Sequence, residues 1–259
     1  MSVLSATIAG VGFWAPGLPD WTAARAFVAD GRLPEGAPAK PSPQLLAPNE
    51  RRRAPGSVAV ALDVALAACS AAGRDPKTLP SVFASTHGDL AITDYMCATL
   101  AQEPTAISPT KFHNSVHNAA AGYWTIGNGC TEATTAISAH DATFAQGLVE
   151  AMMQLDAGAE AVLLVGYDTE STGPLGTVTH SIGLLGGALV LTRDGPGPRV
   201  QGRFLDGSDV DLPGPLGARS SANAMAQMLP LFDALAADGD RALLRAGPHR
   251  RLALEIAHG

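Results

Sequence analysis

The side chains able to do chemistry gather between His87 and Asp141. His113 and His117 stand four residues apart, so on a continuous helix both imidazoles would face one side and could hold a metal ion. The run His113-Asn114-Ser115-Val116-His117 lacks the glutamate that zincins use as a base, and His87, Asp89 or Cys130 could complete a ligand set only through the fold. No metal is expected. Cys130 beside either histidine would make a nucleophilic pair suited to stand-alone acyl transfer or thioester hydrolysis. Its flanks, Gly127-Asn128-Gly129 and Thr131, read as a loop and not as the strand-to-helix elbow that presents a nucleophile, so a partly buried free thiol is expected. Gly10-x-Gly12-x-x-Ala15 has the form of a dinucleotide fingerprint, yet Pro16-Gly17-Leu18-Pro19 breaks the helix that would face a pyrophosphate. No cofactor is expected either, and His180, after a Thr-rich loop, is placed at the surface or behind a site.

These residues must be positioned by alternating strands and helices. Ser108-Pro109 opens a helix, the serine as cap and the proline at a position that needs no N–H. Ahead of it, a short apolar run lies over residues 7–11, and a helix is expected over 21–29 and a Pro-rich loop over 31–48. A helix over 58–72, apolar on most faces, ends at Gly73. Residues 81–85 read as a strand that turns through Thr86-His87-Gly88-Asp89 into another helix. Residues 133–138 form a further strand, and Phe144, Leu148, Met152 and Leu155 mark one face of the next helix. The apolar run 161–165 is a strand covered on both faces. Residues 186–192 and 199–205 follow as a strand pair, 206–217 as a loop, 220–237 as a helix and 242–256 as a closing hairpin.

With 259 residues, 46% of them hydrophobic and 16% charged, the chain is expected to build one compact α/β domain. A net charge of −7 disfavours nucleic acid or an anionic membrane as the main partner. The dense basic runs, Arg51-Arg52-Arg53 and His249-Arg250-Arg251, read as solvated surface, with docking of an acidic carrier protein as the sharper alternative. Cys69, Cys97 and Cys130 show no CxxC spacing, which points to a reducing compartment. The first residues, MSVLSATIAGVGFW, have neither the basic flank of a signal peptide nor the length of a membrane span, so a cytoplasmic protein is expected.

Ser108-Pro109, the run Asn114-x-x-x-Asn118-Ala119-Ala120 with Gly122, and the long helix ending in Gly158-Ala159-Glu160-Ala161-Val162-Leu163-Leu164-Val165-Gly166 together resemble the N-terminal half of β-ketoacyl synthases. The resemblance extends from about Thr7 to Thr192. It implies a thiolase-like, layered α-β-α fold in a single domain over residues 1–259, with the C-terminal catalytic half absent. More narrowly, the chain resembles the short synthase-like subunits found beside full-length ketosynthases in aryl-polyene pathways. In the family a nucleophilic cysteine opens a buried helix after a strand; in the matching run Ile137-Ser138-Ala139-His140-Asp141-Ala142-Thr143, Asp141 stands at its place. A carboxylate does not carry an acyl chain as a thioester does, and Asp141 is expected to cap the helix instead. The family's two catalytic histidines and its lysine belong to the missing half.

The resemblance therefore implies a subunit that is not catalytic alone. Like a chain length factor of type II polyketide systems, it would pair with a full-length ketosynthase and meet the acyl carrier protein through that complex, in aryl-polyene or related polyketide or fatty-acid synthesis. Phe112, Val116 and Tyr123 would border the partner's acyl pocket, and His113, Asn114, Ser115, His117 and Asn118 would lie along the shared interface. The alternatives are that Phe112, Val116 and Tyr123 are core residues, and that the chain is a structural self-dimer. A half-fold is also expected to leave an apolar face uncovered.

Overall fold

The computed structural model describes residues 4–208 and 212–258. In chain order the elements are β1 (Leu4–Trp14), α1 (Trp21–Asp30), α2 (Pro48–Arg53), α3 (Gly56–Ala72), β2 (Ser81–Ala84), α4 (Leu90–Gln102), α5 (Pro109–His113), α6 (Ala119–Asn128) and β3 (Thr134–Ile137). After them come α7 (Thr143–Asp156), β4 (Ala161–Asp168), β5 (Leu185–Thr192), β6 (Arg199–Asp206), α8 (Pro215–Arg219), α9 (Leu229–Ala236), β7 (Arg241–Gly247) and β8 (Arg250–Ala257). Local signals set many of the boundaries. The Asp20, Asp89 and Ser108 side chains accept from the first turns of α1, α4 and α5, and Gly31 and Gly73 end α1 and α3 with φ of 74° and 60°.

The strands form one eight-stranded sheet in the order β3-β2-β4-β5-β1-β6-β8-β7. β2 runs parallel to β3 and β4, and the remaining pairs are antiparallel. Alternation along the strands divides the core in two. Phe83, Leu163, Val165 and Val190 face α3 and α6, while Val82, Val162, Leu164 and Leu191 face α7 and α9. The result is the expected α-β-α layering, and β4 is buried along its whole length because helices cover both of its faces.

Close packing of α3 on β1 depends on two glycines. A Cβ at Gly12 would lie 2.0 Å from the Val64 carbonyl oxygen, and one at Gly10 would lie 2.3 Å from that of Ala68. The Gly10/Gly12 pattern thus serves helix-on-strand contact, and no helix opens at the glycines.

Several expectations are corrected. β5 and β6 do not pair with each other, because β1 is long enough to lie between them: its residues Leu4–Thr7 pair with β6 and Thr7–Trp14 with β5. The helix expected over 220–237 is a 3-10 turn, Ala224–Met228, followed by α9. Buried Asn223 sets that turn, its side chain accepting from Met225 N at 2.9 Å while its amide donates to the Gly183 carbonyl at 3.1 Å. Within the loop expected over 206–217, residues 209–211 lie outside the described residues, as do Met1 to Val3 of the N-terminal run and Gly259. Arg250 is exposed but Arg251 is not solvated surface: it is 3% exposed and donates to the backbone oxygens of Gly247 and Arg250. Helices cover both faces of β2, β4 and β5, with Met225, Met228, Leu231 and Phe232 packed on one side, whereas β6 keeps one face exposed and presents Arg199, Gln201 and Arg203 there. The large apolar side chains that stay exposed include Phe112, Val116, Ile126, Val178 and Ile182, all away from the sheet faces.

Candidate functional site

Parallel pairing of β3, β2 and β4 brings their C-terminal ends to one edge of the sheet. There Asp168, fully buried at the end of β4, accepts from the Ser85 hydroxyl at 2.6 Å and from the Thr86 N–H at 3.0 and 3.1 Å. His87 Nδ1 lies 3.8 Å from the same carboxylate, and Ser85 Oγ accepts in turn from Gly88 N at 2.9 Å. Burial pushes the Asp168 carboxyl up from the usual range, while His87, Ser85 and Thr86 pull it back. Sequence reasoning considered His87 only as a third metal ligand and gave Asp168 and Ser85 no role. The available signal was a carboxylate closing a strand that is otherwise apolar except for Gly166 and Tyr167.

Beside it, β3 turns sharply into α7. The bend falls on His140, whose φ of 53° is uncommon for a non-glycine residue. Thr143 Oγ1 bridges the bend, accepting from Ala139 N at 2.9 Å and donating to the His140 carbonyl at 2.6 Å. Gln227 fastens it from the other side. Its amide donates to the His140 carbonyl at 3.1 Å, and its oxygen accepts from Phe144 N at 3.2 Å, in the first turn of α7. Backbone N–H groups at such a helix start are what an acyl-transfer site offers to a developing oxyanion. Here one of them is already occupied by Gln227.

Asp141 does not cap α7, which has no side-chain cap. Its carboxylate pairs with Arg245 of β7 and lies 3.6 Å from His140 Nδ1. Burial raises its pKa, but the hydrogen bond and charge of Arg245, with His140, outweigh that and hold it below the ordinary carboxylate range. A lowered folded-state value means that the pair stabilises the fold above the unfolded pKa of about 4 and loses this contribution as pH falls through the folded value. Solvent screening keeps the contribution to about 1 kcal/mol or less. The stability difference between the native protein and Asp141→Asn should therefore shrink as pH is lowered from about 6 to about 2. A gap that widens towards acid would show that Arg245 does not stabilise the ionised form.

The remaining sequence candidates are spread over several places. α5 and α6 are separate helices, because the Asn114 amide turns back to the Thr110 carbonyl at 2.9 Å and the chain breaks over residues 114–118. His113 and His117 consequently part. His113 stacks edge-on against Tyr123 at 5.7 Å, whereas His117 Nε2 meets the Ser85 carbonyl at 2.9 Å. Ser115 Oγ donates to the Phe112 carbonyl at 2.8 Å, and Asn118 is exposed at the start of α6. Among the described residues no group of three His, Cys, Asp or Glu side chains could hold a metal ion. Cys130 lies at the opposite end of β2 from His117, with its thiol directed at the Leu79 carbonyl 3.7 Å away. The two are not brought together. Buried Cys69 is pushed up to about 12 by burial, with Asp75 adding to the effect, so it offers no thiolate near neutrality. Phe112 and Val116 are not core residues, being 63% and 52% exposed. Tyr123 is half-buried and lines, with His113, Ile126 and Leu46, a cavity of about 320 Å³.

The sequence pattern of the β-ketoacyl synthase N-terminal domain matches residues 21–250. The chain belongs to that family. Its fold is that of ketosynthase subunits. A chain of the ketosynthase–chain length factor complex ApeO–ApeC from Xenorhabdus doucetiae superposes with a TM-score of 0.77 at 23% identity, over 97% of this chain and 99% of that one. A chain of the AntDE:AntF complex, a type II polyketide acyl carrier protein with its ketosynthase, gives a TM-score of 0.72 at 14% identity over both full lengths. The ketosynthase from module 1 of the bacillaene synthase of Bacillus amyloliquefaciens FZB42 gives 0.58 at 16% identity, over 80% of this chain but only 47% of that one. No curated protein matches the chain in sequence. This family member thus has the length of the small complex subunits and about half that of a modular ketosynthase.

Proposed function

We propose that this chain is a chain-length-factor-like subunit, not catalytic by itself, that pairs with a full-length β-ketoacyl-ACP synthase and shapes its acyl pocket. The observation that carries the proposal is the β3–α7 elbow, where the family's nucleophile would stand. It presents His140 and Asp141 and no thiol, Asp141 is tied to Arg245, and Gln227 occupies the Phe144 N–H. Such an elbow can be positioned against a partner, but it has no group to hold an acyl thioester. Pairing is supported by the outer edge of β3, which has no strand beside it among the described residues, and by exposed Phe112 and Val116. The likeness to chains of the ApeO–ApeC and AntDE:AntF complexes supports the same partner class and, through it, an acyl carrier protein. We assign as the product of the complex an aryl polyene or a related polyketide or fatty acyl chain. No helix among the described residues is long and apolar enough to cross a membrane, and we place the complex in the cytoplasm.

The test is native mass spectrometry of the tagged protein isolated from its own cells. A one-to-one complex with a longer, cysteine-bearing ketosynthase is expected; a self-dimer carrying a covalent acyl group would reverse the assignment. In the reconstituted complex, Phe112→Ala removes an exposed ring at the proposed pocket wall and should lengthen the partner's product. If Phe112→Ala, Val116→Ala and Tyr123→Ala all leave the product unchanged in an intact complex, these residues do not set chain length.

A further inference from the structure

A second cavity, of about 480 Å³, opens between the end of β1, α2 and the loop leading into β5. Trp14, Lys40, Arg51, Arg52, Glu170 and Leu184 are among its walls. Three cationic side chains against one carboxylate make it locally positive, although the chain carries a net charge of −7. Two of its wall residues also have unmet hydrogen-bonding capacity. Trp14 is 2% exposed and its indole N–H has no partner among the described residues; the same holds for the buried Nε–H of Arg51. Both groups can only donate, so neither can satisfy the other. Leaving a buried donor unmet is costly, and a positive cavity with two such donors is matched by a ligand that supplies acceptors and negative charge. Arg51 is held in place by donating through Nη2 to the Leu46 carbonyl at 2.9 Å, and its charge also acts on Asp63 of α3. Ala59 and Leu184 add an apolar wall that a short aliphatic stem would cover.

We propose that this cavity binds a small organic anion, a carboxylate or phosphate head on a short apolar stem, through Arg51, Arg52, Lys40 and the Trp14 indole N–H. The site lies on the α3 side of the sheet and does not depend on the elbow or on pairing with a ketosynthase. The chain has three tryptophans, so its indole N–H signals in a proton–nitrogen correlation spectrum are few enough to assign by Trp14→Phe. Titrating the full chain with butyrate and, separately, with inorganic phosphate should shift the Trp14 indole signal saturably while leaving those of Trp21 and Trp124 in place. Saturation by butyrate alone would identify the head as a carboxylate, and by phosphate alone as a phosphate. Arg51→Gln should weaken the response by about tenfold or more, the loss of one charge-assisted hydrogen bond. Arg52→Gln serves as the second variant should the first fail to give a folded spectrum. No saturable shift with either anion, or an equal shift in the folded arginine variant, would overturn the proposal.

Discussion

Replacing Asp168 by alanine is expected to lower the stability of the folded chain by about 3 to 5 kcal/mol, the cost of leaving the buried Ser85 and Thr86 donors without their acceptor. Thr86 N donates to both carboxylate oxygens and Ser85 Oγ to one, so the substitution leaves these groups unmatched where water has little access. It also leaves His87 beside a void. For a chain of this size the melting temperature should fall by roughly ten degrees. Asp168→Asn keeps the volume but turns one acceptor into a donor, which then faces the Ser85 hydroxyl or the Thr86 N–H. Its cost should be of the same order. Urea unfolding checks both: the midpoint should drop at an unchanged slope. A loss below about 1 kcal/mol for the two variants would mean that the cluster is solvated and does not hold the strand ends together.

Gly12→Ala should be nearly as damaging, for a different reason. The new methyl would sit 2.0 Å from the Val64 carbonyl oxygen and 3.0 Å from Ala68 N, both backbone atoms of α3, which no rotamer change can move aside. The helix must lift from β1, disturbing the contacts of Val60, Val64 and Ala68 with the sheet; overpacking of this kind costs about 1 to 3 kcal/mol and sometimes more. Gly122→Ala provides the comparison. Nothing lies within 4 Å of a Cβ there, and the residue is helical, so alanine should stabilise the isolated chain by up to about 1 kcal/mol. Equal melting temperatures for Gly12→Ala and the native protein would show that α3 has room to move on β1.

The sequence by itself determined the elements whose signals are local. Ser108 caps the helix it was expected to open, Asp89, the last residue of the expected turn, caps the helix that follows it, Gly73 ends α3, and the uninterrupted apolar run of β4 marks a strand covered on both faces. The order of Ser-Pro, Asn-rich and Gly-ended segments also carried the family. What it could not determine were pairings between distant residues. Whether β6 would join β5 or β1 depends on the length of β1, and periodicity along one strand says nothing about its neighbours. Asp141 had the form of a helix cap, but Arg245, 104 residues further on, draws its carboxylate away. Likewise the 113–117 spacing placed two histidines on one helix face only while the helix was continuous, and Asn114 interrupts it. Asp168, Gln227 and Trp14 each look ordinary in sequence. The roles of Asp168 and Gln227 arise only when the sheet brings β2, β3 and β4 to a common end with the 3-10 turn Ala224–Met228 packed over them, and that of Trp14 when α2 and the loop before β5 close around the end of β1, because buried carboxylates and unmet donors are properties of surroundings that the linear chain does not contain.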